Sequence, residues 1–332
     1  MLQIGRNSLL ACLCTALSTA ALAEPSALPP TDEYTPPSGE LAFDRDRYHR
    51  MTVPVSVAGE GPYRFLIDTG AQASVITQRV RDEVSPVFEG KAHLVAMGST
   101  AMVDLFTLNR LTFAGYEHNN LSAALLQSRN VGADGILGLN ALQDKRVLID
   151  FREDRMELVD IDDAFSSSGY EIVVRAKPRF GQMVITSARI DGVRTAVVID
   201  TGAQGSYGNE ALRKRMRMRQ GYQLLSTDVN GVETLNDIAL ARTMRLGRIK
   251  INSVPIGFAP SPVFKTLDLE DQPALILGIR NLRMFDRVAI DFAKRRVMFD
   301  LPPRKPRKPR EFTPAAYEPE TANGFNYSRS GW

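Results

Sequence analysis

The sequence predicts an all-β fold of two similar lobes facing each other across a cleft, and three observations carry that expectation. The string Asp-Thr-Gly-Ala occurs twice, at 68–71 and 200–203, each time after an apolar run, Phe65-Leu66-Ile67 and Val197-Val198-Ile199. Each copy is followed by an apolar-apolar-Gly block, Ile136-Leu137-Gly138 and Ile276-Leu277-Gly278. A third pair then comes in the same order, Val147-Leu148-Ile149-Asp150-Phe151 and Val288-Ala289-Ile290-Asp291-Phe292. Two long copies with three matching blocks describe a duplicated β unit rather than a solenoid.

Taken in order, residues 1–23 read as a signal peptide. Arg6 precedes an apolar stretch from Leu9 to Leu22, and Ala21-Leu22-Ala23 has the small-x-small form of a cleavage site. Both cysteines, Cys12 and Cys14, lie inside it, so the mature chain is expected to have no disulfide, thiol nucleophile or thiolate metal site. Export without cysteines points to a periplasmic or secreted protein with no integral membrane segment once the signal is removed. Residues 24–46 are rich in Pro and acids (Pro29, Pro30, Pro36, Pro37, Asp32, Glu33, Glu40) and read as a disordered leader, either a spacer or a propeptide.

The first lobe spans 47–160. Thr52 to Ala58 alternates, Gly59-Glu60-Gly61-Pro62 turns, and Tyr63 to Ile67 returns towards Asp68. Residues 161–169, with Ser166-Ser167-Ser168-Gly169, form the linker. The second lobe spans 170–302. Met183 to Ile190 is a strand, Asp191-Gly192 a two-residue hairpin turn, and Arg194 to Ile199 a strand that runs into Asp200. Each lobe closes with a short strand, Met156 to Val159 and Val297 to Phe299. Residues 303–332 are a disordered basic and polar tail. Its cations (Arg304, Lys305, Arg307, Lys308, Arg310) make the formal charge of +3 a local effect, which argues against a nucleic-acid-binding face.

On these motifs the chain resembles the retropepsin and pepsin aspartic peptidases, in which each lobe supplies one Asp-Thr/Ser-Gly loop and one apolar-apolar-Gly strand behind it. The resemblance covers roughly residues 48–302. Ala71 and Ala203 after the glycines, with Ser74 and Ser206 beyond, are similar to the retropepsin branch; two lobes in one chain are similar to pepsins. It implies the bilobal acid-protease fold, a protein or peptide substrate, no cofactor, no metal, and a monomer that is internally a pseudo-dimer. Asp68 and Asp200 would be the catalytic pair, with Thr69 and Thr201 hydrogen-bonding across to the opposite loop.

The chemistry suits these residue types. Two carboxyls a few ångströms apart do not both ionise readily, so one serves as acid and the other as base, and together they activate a water against a peptide carbonyl. Gly70 and Gly202 lack a Cβ and let the backbone approach those carboxyls. Ala71 and Ala203 carry no hydroxyl to donate to the carboxylates, so the pair is expected to titrate above that of pepsins, with activity reaching weakly acidic or neutral pH. A flap is expected over the pair. Met97 and Gly98, in the segment from His93 to Leu105, form one candidate tip, and Asn230 and Gly231 form its counterpart. Neither has the aromatic residue of pepsin flaps.

Other features read as structural. Asp150 and Asp291 repeat but lie outside the Asp-Thr-Gly loops, as carboxylates hydrogen-bonded at the lobe interface would. His49, His93 and His118 are dispersed. The run Arg213, Lys214, Arg215, Arg217, Arg219 suits a solvated helix face or contact with an anionic substrate. No G-x-S-x-G, H-E-x-x-H or G-x-x-x-x-G-K-[ST] motif is present. The rival function is a peptide-binding module of the same fold without turnover; such modules usually lose an Asp or Gly of the loops, and this chain keeps both.

Overall fold

Alternating apolar residues and tight turns give a computed structural model built almost wholly of strands. It describes residues 40–42, 44–45, 50–142, 145–160, 170, 172–179, 181–216 and 221–302. The chain divides into 1–36 and 37–332, and every described residue lies in the second unit. The expected signal peptide, the leader up to residue 39, the linker 161–169, the tail 303–332, His49, Arg217 and Arg219 lie outside the described residues.

The first half forms a ten-stranded sheet around Met51–Val57, Glu60–Ile67, Ser74–Thr77 and Gly135–Leu137. The second half forms an eight-stranded sheet around Gln182–Ile190, Val193–Ile199, Tyr207–Gly208 and Ala274–Leu277. Asp191 and Gly192 take φ of 47° and 85°, the left-handed pair that a two-residue hairpin needs to match strand twist. Each strand leading to an Asp alternates between two apolar clusters. Phe65 and Ile67, like Val197 and Ile199, enter the main core; Leu66 and Val198 enter smaller clusters on the opposite face.

A six-stranded sheet joins the halves, in the order Glu40–Ala42, Arg155–Asp160, Lys145–Asp150, Arg287–Asp291, Arg296–Asp300, Ile172–Arg175. At its centre Lys145–Asp150 runs antiparallel to Arg287–Asp291, pairing Arg146 with Asp291 and Asp150 with Arg287. The repeated Arg-Val-x-Ile-Asp segments thus cross each other head to tail. Arg146 Nε donates to Asp291 Oδ2 at 3.0 Å, with both side chains essentially inaccessible to solvent. Burial alone would raise the Asp291 carboxyl; the Lys294 N–H and the guanidinium groups of Arg146 and Arg296 hold it below its usual range. Asp150 accepts the N–H groups of Arg152 and Glu153. Asp291 is therefore a structural carboxylate between the halves, whereas Asp150 closes its own turn.

One expectation is corrected. The leader was to stay disordered to residue 46, yet Glu40–Ala42 pairs with Arg155–Glu157 and Asp44–Arg45 pairs with Met51–Thr52. An edge strand presents unpaired N–H and C=O groups, and hydrogen-bonding to that ladder outweighs the polar composition that suggested disorder. Among the described residues, no helix is long and apolar enough to cross a membrane.

Candidate active site

Each Asp-Thr-Gly-Ala loop is held by the apolar strand that follows it in sequence. Gly135–Leu137 lies between Glu60–Ile67, to which it is parallel, and Ser74–Thr77, to which it is antiparallel. Ala274–Leu277 sits in the same way between Val193–Ile199 and Tyr207–Gly208. The backbone N–H of Asp68 donates to Leu137 O at 3.0 Å, and that of Asp200 to Leu277 O at 3.1 Å. The far side of each loop is tied by Leu139 N–H to Ala71 O and by Ile279 N–H to Ala203 O, both at 2.8 Å. A carboxylate placed this way takes its position from a sheet rather than from a mobile loop.

A brace the sequence did not reveal stiffens each loop. Gly138 N–H donates to Ser74 Oγ, which donates to Asn140 Oδ1; Gly278 N–H donates to Ser206 Oγ, which donates to Asn281 Oδ1. The serines already stood out by their spacing. The asparagines did not pair up, because Asn140 lies two residues after its glycine and Asn281 three.

The two loops meet. Asp68 Oδ1 accepts the N–H groups of Gly70 and Ala71 at 2.7 and 3.0 Å, and Asp200 Oδ1 those of Gly202 and Ala203, both at 2.9 Å. Each carboxyl also lies over the glycine of the other loop. A Cβ on Gly70 would sit 2.5 Å from Asp200 Cγ, and one on Gly202 would overlap the Asp68 carboxyl. Thr69 Oγ1 donates to Ile199 O at 3.0 Å and accepts from Thr201 N at 3.2 Å. Thr201 Oγ1 donates to Ile67 O at 2.7 Å and accepts from Thr69 N at 3.1 Å. Four hydrogen bonds between buried groups thus fix one loop against the other.

Burial raises both carboxyls. Asp200 is pushed up to about 8, by burial first and by the charge of Asp68 second, against the N–H groups of Ala203 and Gly202. Asp68 is also raised by burial, but the N–H groups of Gly70 and Ala71 and the charge of Arg50 oppose the rise. The pseudo-symmetry breaks here. Arg50 lies 18 residues before Asp68, and the residue 18 before Asp200 is Gln182, a neutral amide whose Nε2 donates to Gly70 O. The charge of Arg50 thus favours the carboxylate at Asp68, while the corresponding position in the second half carries a neutral amide. Sequence reasoning missed both residues, although their equal offsets from the two aspartates were there to compare.

The expected tips are hairpin turns, between Val87–Val95 and Thr100–Leu108 and between Tyr222–Thr227 and Glu233–Leu246. They cross over. Met97, like Ala203, packs against the second-half cluster around Val198, and Val229, like Ala71, against the first-half cluster around Leu66. Asp228 locks them together: its Oδ2 accepts from Gly98 N at 3.2 Å and Ser99 Oγ at 2.6 Å, while its Oδ1 accepts from Asn230 N and Val232 N, both at 3.0 Å. Asn230 Nδ2 donates to Ser99 Oγ at 2.9 Å. Gly231, at φ 84°, turns beside the Asn130 side chain. So Met97, Gly98, Asn230 and Gly231 all lie at the tips, and Ser99, Asp228 and Val229 supply much of the contact between them. Of the two described histidines, His93 is in the strand Val87–Val95, and His118 stacks on Phe113 with ring centroids 5.4 Å apart.

A family model described as aspartyl protease matches residues 53–141 and 186–280. Each matched segment holds one Asp-Thr-Gly-Ala loop and its apolar-apolar-Gly strand. No curated protein matched the chain.

Proposed function

The chain belongs to the aspartyl protease family, with two retropepsin-like lobes in one polypeptide, and we propose that it is an endopeptidase acting through a water held between Asp68 and Asp200. The observation that carries this reading is the placement of each carboxyl over the glycine of the opposite loop, with the threonines tying the loops together. Two acids held at that separation share a proton.

The charge of Arg50, which acts on Asp68, assigns roles. Asp68, favoured as carboxylate by Arg50, takes a proton from water as its oxygen bonds to the peptide carbon. Asp200, still protonated, gives its proton to the carbonyl oxygen, leaving a neutral tetrahedral diol. Asp68 then passes its proton to the amide nitrogen, the C–N bond breaks, and Asp200 recovers a proton from a diol hydroxyl. Both carboxyls return to their starting states, so no net proton is consumed at the pair. The crossed tips form a roof that excludes bulk water when closed and must open to admit a chain.

The reading extends to setting: export through residues 1–23, action as a monomer because one chain carries both loops, and substrates among envelope or periplasmic proteins. The test is incubation of the purified protein with a diverse peptide mixture from pH 3 to 8, beside Asp68→Asn and Asp200→Asn. Cleavage by the wild type alone supports the pair. Equal cleavage by either variant refutes it, and peptide binding without turnover in all three favours the binding module.

A further inference from the structure

We propose that the second lobe carries a separate site for an amphipathic anion, at the far end of the strand that leads to Asp200. A cavity of about 450 Å³ opens there between Lys177, Arg194 and Arg215. Lys177 lies on the strand paired with Val184, Arg194 stands near the start of Val193–Ile199, and Arg215 ends the helix Glu210–Arg215. Arg194 is six residues from Asp200. At about 3.3 Å per residue the cavity is roughly 20 Å from the catalytic pair, beyond the reach of its chemistry.

Charge is the first reason to assign a ligand. No acidic residue lines the cavity. Among the described residues none of the three cations forms an ion pair, whereas Arg213, on the same helix, pairs with Asp237 at 2.8 Å. Arg194 Nε donates to Thr186 O at 3.2 Å, which steadies the guanidinium while its terminal nitrogens make no hydrogen bond to a described residue. Three like charges around one concavity repel one another, and an anion between them relieves that repulsion. The basic run noted in the sequence thus divides, with Arg213 neutralised within the lobe and Arg215 turned to the cavity.

The floor is the second reason. Val184, Ala196 and Leu269 are buried, belong to one apolar cluster, and line the cavity. Bare phosphate would leave that surface unused. A phosphate or carboxylate head on a short apolar stem satisfies both, and the volume fits a small ligand or one lipid head with the start of its chain. A flat membrane contact would need the cations on a convex face, whereas these ring a hollow.

The probe is octyl phosphate below its micelle concentration, titrated calorimetrically into the full chain. Parallel arms use inorganic phosphate and phosphatidylcholine vesicles with and without phosphatidylglycerol. Saturable binding of octyl phosphate, at least tenfold tighter than inorganic phosphate and at least tenfold weakened in Arg194→Gln/Arg215→Gln, is expected. Both side chains are exposed, and an unchanged melting temperature checks that the double variant folds; Lys177→Gln is the second variant if it does not. Vesicle binding lost in the same variant identifies a lipid head as the source, and binding of octyl phosphate alone a soluble amphiphile. No saturable binding of either, or binding that the variants retain, overturns the site. The readout is binding alone, so it stands whether or not the protein cleaves peptides.

Discussion

Replacing Thr69 by Val removes a hydroxyl and almost nothing else, which makes it a direct probe of how the loops are held. The side chain is buried and the two residues are nearly isosteric, so no cavity of consequence opens. The change leaves Ile199 O without its donor and Thr201 N–H without its acceptor. Each buried orphan costs about 1–3 kcal/mol, so the loss is roughly 2–6 kcal/mol, offset by about 1 kcal/mol for the added apolar group. Against a typical total of about 5–15 kcal/mol this is a large fraction. Thr201→Val orphans a different pair, Ile67 O and Thr69 N–H, so a sum of independent effects is the reference for the double variant. Because both changes loosen one interface, the double variant is expected to lose less than that sum, by about 0.5–3 kcal/mol. Urea unfolding gives the stabilities and peptide cleavage the turnover, which is expected to fall with them as the carboxyls drift apart. Thr69→Ser keeps the hydroxyl and is expected to stay near wild type. A shift under about 0.5 kcal/mol for Thr69→Val, or a serine variant as damaged as the valine one, would falsify the account of the threonines.

Three further outcomes are expected. Gly202→Ala drives a methyl into the Asp68 carboxyl, so kcat/KM is expected to fall by roughly a hundredfold or more, the scale set by misplacement of about 1 Å; wild-type kinetics would show that the loops yield. The proton on Asp200 gives a sign for pH dependence: its carboxyl is raised in the folded state to about 8, so stability it supports below the unfolded value is lost as pH rises through the folded one. One retained proton makes that slope about −1.4 kcal/mol per pH unit, and Asp200→Asn, followed by melting from pH 4 to 8, is expected to flatten it; identical profiles would place the proton elsewhere. Asp228→Ala strips the tips of four accepted hydrogen bonds and is expected to speed amide exchange at Gly98 and Val232 severalfold or more, while unchanged exchange would mean apolar packing alone closes the roof.

Much of this protein is written in its sequence because the information is local and duplicated. An apolar run ending in Asp-Thr-Gly-Ala, an apolar-apolar-Gly block and an Asp-Gly hairpin each involve neighbouring residues, and their recurrence in one order gave the two-lobed β architecture and both aspartates. The strands at 40–45 escaped because an edge partner some 110 residues away, not local composition, orders the first of them. The Ser–Asn braces escaped because a one-residue offset hides the second asparagine. What only the tertiary structure decided is which groups face each other across the lobes: Gly70 under Asp200, Thr69 on Ile199, Arg50 acting on Asp68 while Gln182 reaches Gly70, and Asp228 on Ser99. Those partners lie more than a hundred residues apart, except Arg50 and Asp68, which are brought together by folding within one lobe. A repeated motif specifies each half of such a pair but not their separation or orientation, which follow from how the two sheets are joined and packed.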